Sequence, residues 1–168
     1  MPMSKHRQSG VMLIEALVGI LIFMIGILAL IAMQATALRA AGDARYRTEA
    51  VNYSNDLLGK ILVNVDRSSD AAMTASLNAF QHQTSGSDCA FSGAASASPV
   101  VTDWAALVAG TSGLTPPPRP PLPGTTASMV QVAVNTAPGA FNTVTITVCW
   151  RAPDDPVARK HVLVSYIT

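Results

Sequence analysis

The sequence is poor in charge and in aromatic rings. Asp, Glu, Lys and Arg make up 12% of its 168 residues and Phe, Trp and Tyr 5%, which excludes both a charge-rich disordered chain and a large aromatic core. It holds three histidines and two cysteines, and Cys89 and Cys149 lie too far apart for the paired ligands of a structural zinc site. Eleven basic residues face ten acidic ones, a formal charge of +1; no cluster of Lys and Arg marks a nucleic-acid surface. There is no GxSxG, no glycine-rich phosphate loop, and no nucleophile or metal constellation around His82 or His161. Asp154 and Asp155 sit among prolines, where aspartate serves a turn. The chain therefore reads as a non-enzyme with no cofactor, no metal and no nucleic-acid partner. The cysteines leave two readings. A disulfide would close a loop of about 60 residues, stabilise by about 4 kcal/mol in the chain-entropy model, and require an oxidising compartment. The other reading is a pair of reduced, buried thiols.

What the chain does have is one long apolar run. Residues 11–33, VMLIEALVGILIFMIGILALIAM, carry Glu15 as their only charge. At about 1.5 Å per residue such a helix spans a hydrocarbon core of about 30 Å. A secretory signal would be shorter and would end in a small-residue cleavage site, and no such ending is present. Lys5 and Arg7 precede the run, so the amino end stays cytoplasmic and the bulk of the chain crosses. A carboxylate in the apolar part of a membrane helix costs about 2.5–3.5 kcal/mol on insertion scales, so it usually has a partner. Cutting after Gly10 would create an amine on Val11, one helical turn from Glu15 and able to pair with it or with the glutamate of a neighbouring chain. The alternative is an interfacial glutamate at the membrane edge.

A short basic leader ending in Gly10, followed by an apolar helix with Glu15 at its fifth position, resembles the class III signal of type IV pilins and pseudopilins; the match covers residues 5–35. The resemblance implies that a prepilin peptidase cuts between Gly10 and Val11 and methylates the new amine, and that Glu15 docks the subunit into a filament. Val11 stands where most of that family have phenylalanine. Loss of the leader with Lys5 and Arg7 would leave nine basic and ten acidic residues.

Beyond Met33 the helical period continues to about Val65, with Tyr46, Ala50, Tyr53, Leu57 and Ile61 on one stripe and Leu58, Leu62 and Val65 beside it. The stripe reads as core, although a tyrosine pair seven residues apart could also face a partner. A short helix is expected over 70–80 and loop over 81–99, then a brief helix over 103–108. The run 115–124, TPPPRPPLPG, reads as an extended, stiff surface loop more than as a ligand for a proline-binding module. Strands are expected over 129–134, 143–150 and 161–167. Their connections hold Pro138, Gly139, Pro153 and Pro156, so an antiparallel meander is simplest, its apolar face covered by the amphipathic half of the long helix and its other face polar.

The expected fold is thus α+β and pilin-like: leader 1–10, transmembrane and assembly helix 11–33, amphipathic continuation 34–66, and a periplasmic head 67–168 with a small antiparallel sheet. Asp103 and Trp104, then Leu122, Pro123 and Gly124, then Cys149, Trp150 and Arg151 are similar to the minor-pilin subgroup called type IV pilus modification protein PilV. That resemblance implies a non-catalytic minor subunit of the inner membrane, incorporated into a pilus, whose partners are prepilin peptidase and other minor and major pilins. Two further readings share these features: a minor pseudopilin of a type II secretion system, and a tip-displayed adhesin using 81–124 as its contact surface.

Overall fold

The computed structural model describes residues 11–137, 139–153 and 155–168. The chain divides into two compact units between Gly42 and Asp43. Helix α1, Val11–Asn64, contributes to both, and no proline interrupts it. In the first unit its side chains are exposed on every face up to Ala41. It is the one described helix long and apolar enough to cross a membrane, and none of its most apolar stretch is buried within the chain.

In the second unit α1 has a buried stripe, Ala50, Tyr53, Ser54, Leu57 and Ile61, at the three- and four-residue spacing of one helix face. Tyr46 and Leu58 flank it half-buried. Leu62, which the pattern places beside the stripe, is exposed instead. The helix end is satisfied locally: Arg67 Nη1 donates to the Leu62 carbonyl at 2.9 Å, a basic side chain meeting carbonyls that lack intrahelical donors. Helix α2, Asp70–Ala79, follows. Its N-cap is Ser69, whose hydroxyl accepts the Ala72 N–H at 3.1 Å, and Asp70 lies in the first turn where negative charge is favoured.

The expected loop 81–99 contains structure. Strands β1, Ser85–Ser87, and β2, Ala90–Ser92, form an antiparallel hairpin. Asp88 and Cys89 make its two-residue turn with φ of 52° and 66°, the left-handed pair that such turns require. Helix α3 runs Pro99–Ala109, four residues earlier than the apolar pattern indicates, because Pro99 supplies a fixed φ at the first turn. Gly110 ends α3 in the left-handed conformation.

Strands β3, Val130–Asn135, β4, Thr143–Trp150, and β5, Arg159–Tyr166, form the expected meander in the order β3-β4-β5. Register runs unbroken through eight pairs between β4 and β5, from Thr143 opposite Tyr166 to Trp150 opposite Arg159. One face sends Val130, Val132, Val144, Ile146, Val148 and Trp150 into a core shared with Tyr53, Leu57 and Ile61 of α1, Leu77 of α2 and Val101, Trp104 and Val108 of α3. The fold is α+β, with the outer part of a long amino-terminal helix packed into the core beneath a small antiparallel sheet. The opposite sheet face is not uniformly polar: at one end Cys149, Cys89, Phe91 and Met129 bury a second, smaller cluster. The hairpin covers that end because the disulfide holds it there.

The proline-rich run is more than surface. Tyr53 donates its hydroxyl to the Pro120 carbonyl at 3.1 Å, the Arg119 guanidinium stacks 5.1 Å from the Tyr53 ring centroid, and Leu122 is buried with its N–H on the Val108 carbonyl at 3.1 Å. A segment without internal hydrogen bonds is fixed by side chains reaching it from α1 and α3.

Candidate functional site

The residues proposed from sequence fall into two groups. Gly10 lies outside the described residues, as does the rest of the leader. Val11 and Glu15 lie on α1 in the first unit. They are four residues apart in a continuous helix, so they occupy one face a turn apart. Both are exposed, and their neighbours Leu13, Ile14, Leu17 and Val18 are exposed too. Among the described residues none forms an ion pair with Glu15. The site is therefore a carboxylate on an uncovered apolar helix, an arrangement that is costly wherever hydrocarbon surrounds it.

Cys89 and Cys149 lie in the second unit and are bonded to each other, with Cα atoms 5.7 Å apart and 60 residues between them. The bond ties the turn of the β1–β2 hairpin to the end of β4, the central strand of the head sheet. Cys89 holds a left-handed φ that glycine adopts without penalty, so the hairpin turn accepts backbone strain at the position where the crosslink is made.

Chemistry elsewhere is sparse. Among the described residues no three His, Cys, Asp or Glu side chains gather as a metal site. His82 is buried; its Nδ1 accepts the Ser96 N–H at 3.1 Å, and its Nε2 has no partner. Burial pushes its pKa below the ordinary 6.5, since the charged ring loses solvation. The same residue pairs with β3 through reciprocal backbone bonds with Val132, 2.9 and 3.0 Å. It acts as a clamp holding the segment before the hairpin to the sheet. Tyr53 is pushed up from its ordinary value of 10.0 by burial, with Arg119 opposing; its hydroxyl is the donor to the proline-rich run.

Family models, curated proteins and solved structures yield no match to this chain. The functional reading rests on the residues themselves. Sequence reasoning singles out Glu15 and the two cysteines but expects the outer sheet face to be polar, whereas Val162, Val164 and Tyr166 lie exposed on it and Cys149 joins a small apolar cluster there. The signal was there: in VLVSY, residues 162–166, apolar side chains occur at both parities, which marks a strand apolar on two faces rather than one.

Proposed function

We propose that the chain is a minor type IV pilin, made as a precursor, cut between Gly10 and Val11 by a prepilin peptidase and inserted into a filament as a structural subunit that helps assembly begin. The observation that carries this reading is Glu15, alone on an exposed apolar helix, five positions after the glycine of a basic leader. The helix first lies in the inner membrane with the head in the periplasm, where the Cys89–Cys149 disulfide forms. Other subunits' helices then replace lipid around it, and Glu15 pairs with the amine of a neighbouring Val11. Function is burial without turnover: leaving the bilayer is tolerable only when helices cover residues 11–42. The head supports this reading as a disulfide-closed α+β unit into whose core α1 itself runs.

The test separates processing from docking. Glu15→Ala should be cleaved as the parent chain is and remain in the membrane, yet fail to support filament formation. Normal filaments in that variant would overturn the assigned role of Glu15. An uncut Glu15→Ala precursor would place the residue in peptidase recognition instead.

A further inference from the structure

The two edges of the head sheet are treated differently. β3 is capped: His82 exchanges two backbone hydrogen bonds with Val132, and Gln131 Nε2 donates to the Gln83 carbonyl at 2.8 Å. At β5, among the described residues, no segment hydrogen-bonds to the outer edge. Nor does most of it carry the usual protection. The charges of this edge are confined to its start, Arg159 and Lys160; from His161 to Tyr166 there is no proline and no Lys, Arg, Asp or Glu side chain, and the register with β4 contains no bulge, so the usual blunting of an edge stops short of most of the strand.

The same strand has an uncovered face. Val162, Val164 and Tyr166 are 45%, 50% and 64% exposed, and they sit opposite Thr147, Thr145 and Thr143. At the start of the strand the character changes to cationic. Lys160 lies opposite Cys149, and Arg151, two residues beyond Cys149, leaves the sheet on the same parity. Both are exposed, and no ion pair joins either to a described residue. They border a groove of about 430 Å³ floored by Cys89, Met129 and Ala158, whose lining holds one carboxylate, Asp88, against these two cations. Arg159, by contrast, points to the other face and is engaged by Asp155 at 2.6 Å and by Asp43. The neighbouring cation is neutralised while the two at the groove are left available.

We propose that β5 and the groove at its start form one docking surface for an extended segment of a partner protein, which adds as a fourth strand to the β5 edge, lays apolar side chains beside Val162, Val164 and Tyr166, and places a carboxylate between Arg151 and Lys160. Backbone pairing supplies the attachment, and alternate side chains and the charge at one end supply direction and specificity. Charge complementarity favours an acidic partner over a second copy: the β5 strand of a copy, residues 159–166, carries the two cations Arg159 and Lys160 and no Asp or Glu side chain. The surface does not depend on the filament reading; it is a property of the head.

The test is site-specific photocrosslinking of the full chain in the cells that make it, with a benzophenone amino acid at Val164 on β5 or at Val157, an exposed residue lining the groove, and a control at exposed Val63 on α1. Mass spectrometry then reads the crosslinked peptides. The expected result is one protein segment captured at both positions and not at Val63, with Asp or Glu nearer the residue captured at 157 and apolar residues nearer that captured at 164. Arg151→Glu, with the probe at 164, should lower the yield at least tenfold, and Asp88→Asn should leave it unchanged or raise it. Crosslinks to a second copy of this chain, capture that Arg151→Glu does not weaken, or yields no higher than at Val63 would each overturn the proposal. Circular dichroism of the Arg151→Glu chain separates lost docking from lost folding, and if that variant unfolds, Val162→Lys carries the same test.

Discussion

Residues 11–42 and 43–64 belong to one helix, yet different things hold them. In the second stretch one face is buried and the others are mostly polar, so burial within the chain stabilises it; in the first, residues 11–33 are apolar on every face apart from Glu15 and all are exposed. Propensity alone does not explain the contrast, since both stretches are helical and neither holds a proline. The difference lies in what surrounds them: the outer stretch is covered by its own head, and the inner stretch, long and apolar enough to cross a membrane, by nothing in the described chain. A polar residue accordingly means different things in each. Ser54 is buried and satisfies itself on the Ala50 carbonyl at 2.9 Å, whereas Glu15 has no described partner and calls for one from another molecule.

This contrast can be broken most severely at Trp104. Its ring is fully buried and its indole N–H donates to the Tyr53 carbonyl at 2.9 Å. Trp104→Ala should destabilise the head by about 5 kcal/mol, the upper end for aromatic truncation because a hydrogen bond goes with the cavity, while Phe23→Ala in the inner stretch should leave the head's denaturation midpoint unmoved. A shift from Phe23→Ala as large as that from Trp104→Ala would dissolve the distinction between the stretches.

Removal of the disulfide by Cys89→Ala with Cys149→Ala should cost about 4 kcal/mol through the released loop, read by urea denaturation. Cys89→Gly with Cys149→Ala should recover about 1 kcal/mol of that, because glycine relieves the left-handed turn; equal midpoints for the two pairs would mean that the turn relaxes without the bond. Gly124→Ala is next, at about 2 kcal/mol: its φ is +60°, and an added Cβ would meet the Arg151 carbonyl oxygen at 2.8 Å. Thermal melting of this variant tests whether the proline-rich run is as firmly seated as its contacts with Tyr53 imply.

The smallest effect is on pH. His82 has a folded pKa below its ordinary value, so the unfolded chain takes up the proton first as pH falls. Its contribution to stability is complete above about 6.5 and is lost progressively below that, down to the depressed folded value. Melting between pH 7.5 and 5 should show this decline in the parent chain and a flatter profile in His82→Asn, whose amide oxygen can still accept the Ser96 N–H. Parallel profiles would remove His82 as the source. Asp66, held below its ordinary value by the Ser68 backbone N–H, acts only in the carboxylate range near pH 4.

Much of this fold was legible in the sequence because long periodic signals decide it. The stripe Tyr46, Ala50, Tyr53, Leu57 and Ile61, the alternation through Val144, Ile146 and Val148, and the proline-free stretch of α1 each point one way. The β1–β2 hairpin was not legible: its strands are three residues each, made of Ser, Gly, Ala and Phe, and its turn uses Asp88 and Cys89 where glycine would have announced it. The start of α3 was hidden for a related reason, since Ser98 and Pro99 were read as the end of a loop when they also open a helix. Leu122 was missed because burial of one leucine among prolines is decided by Tyr53 and Val108, distant in sequence. At the candidate site, Glu15 stood out by its cost in an apolar run, and the cysteines by being the only two. The outer face of β5 gave a weaker signal, because a strand apolar at both parities reads equally as one buried on both sides.

The most direct measurement on the central claim is mass spectrometry of the chain's amino terminus, purified from cells with and without prepilin peptidase. The account predicts a mature chain beginning at N-methylated Val11 in the first and an intact precursor that retains Met1 to Gly10 or its processed start in the second. A leader still attached in both, or a cut elsewhere such as beyond Met33, would contradict it.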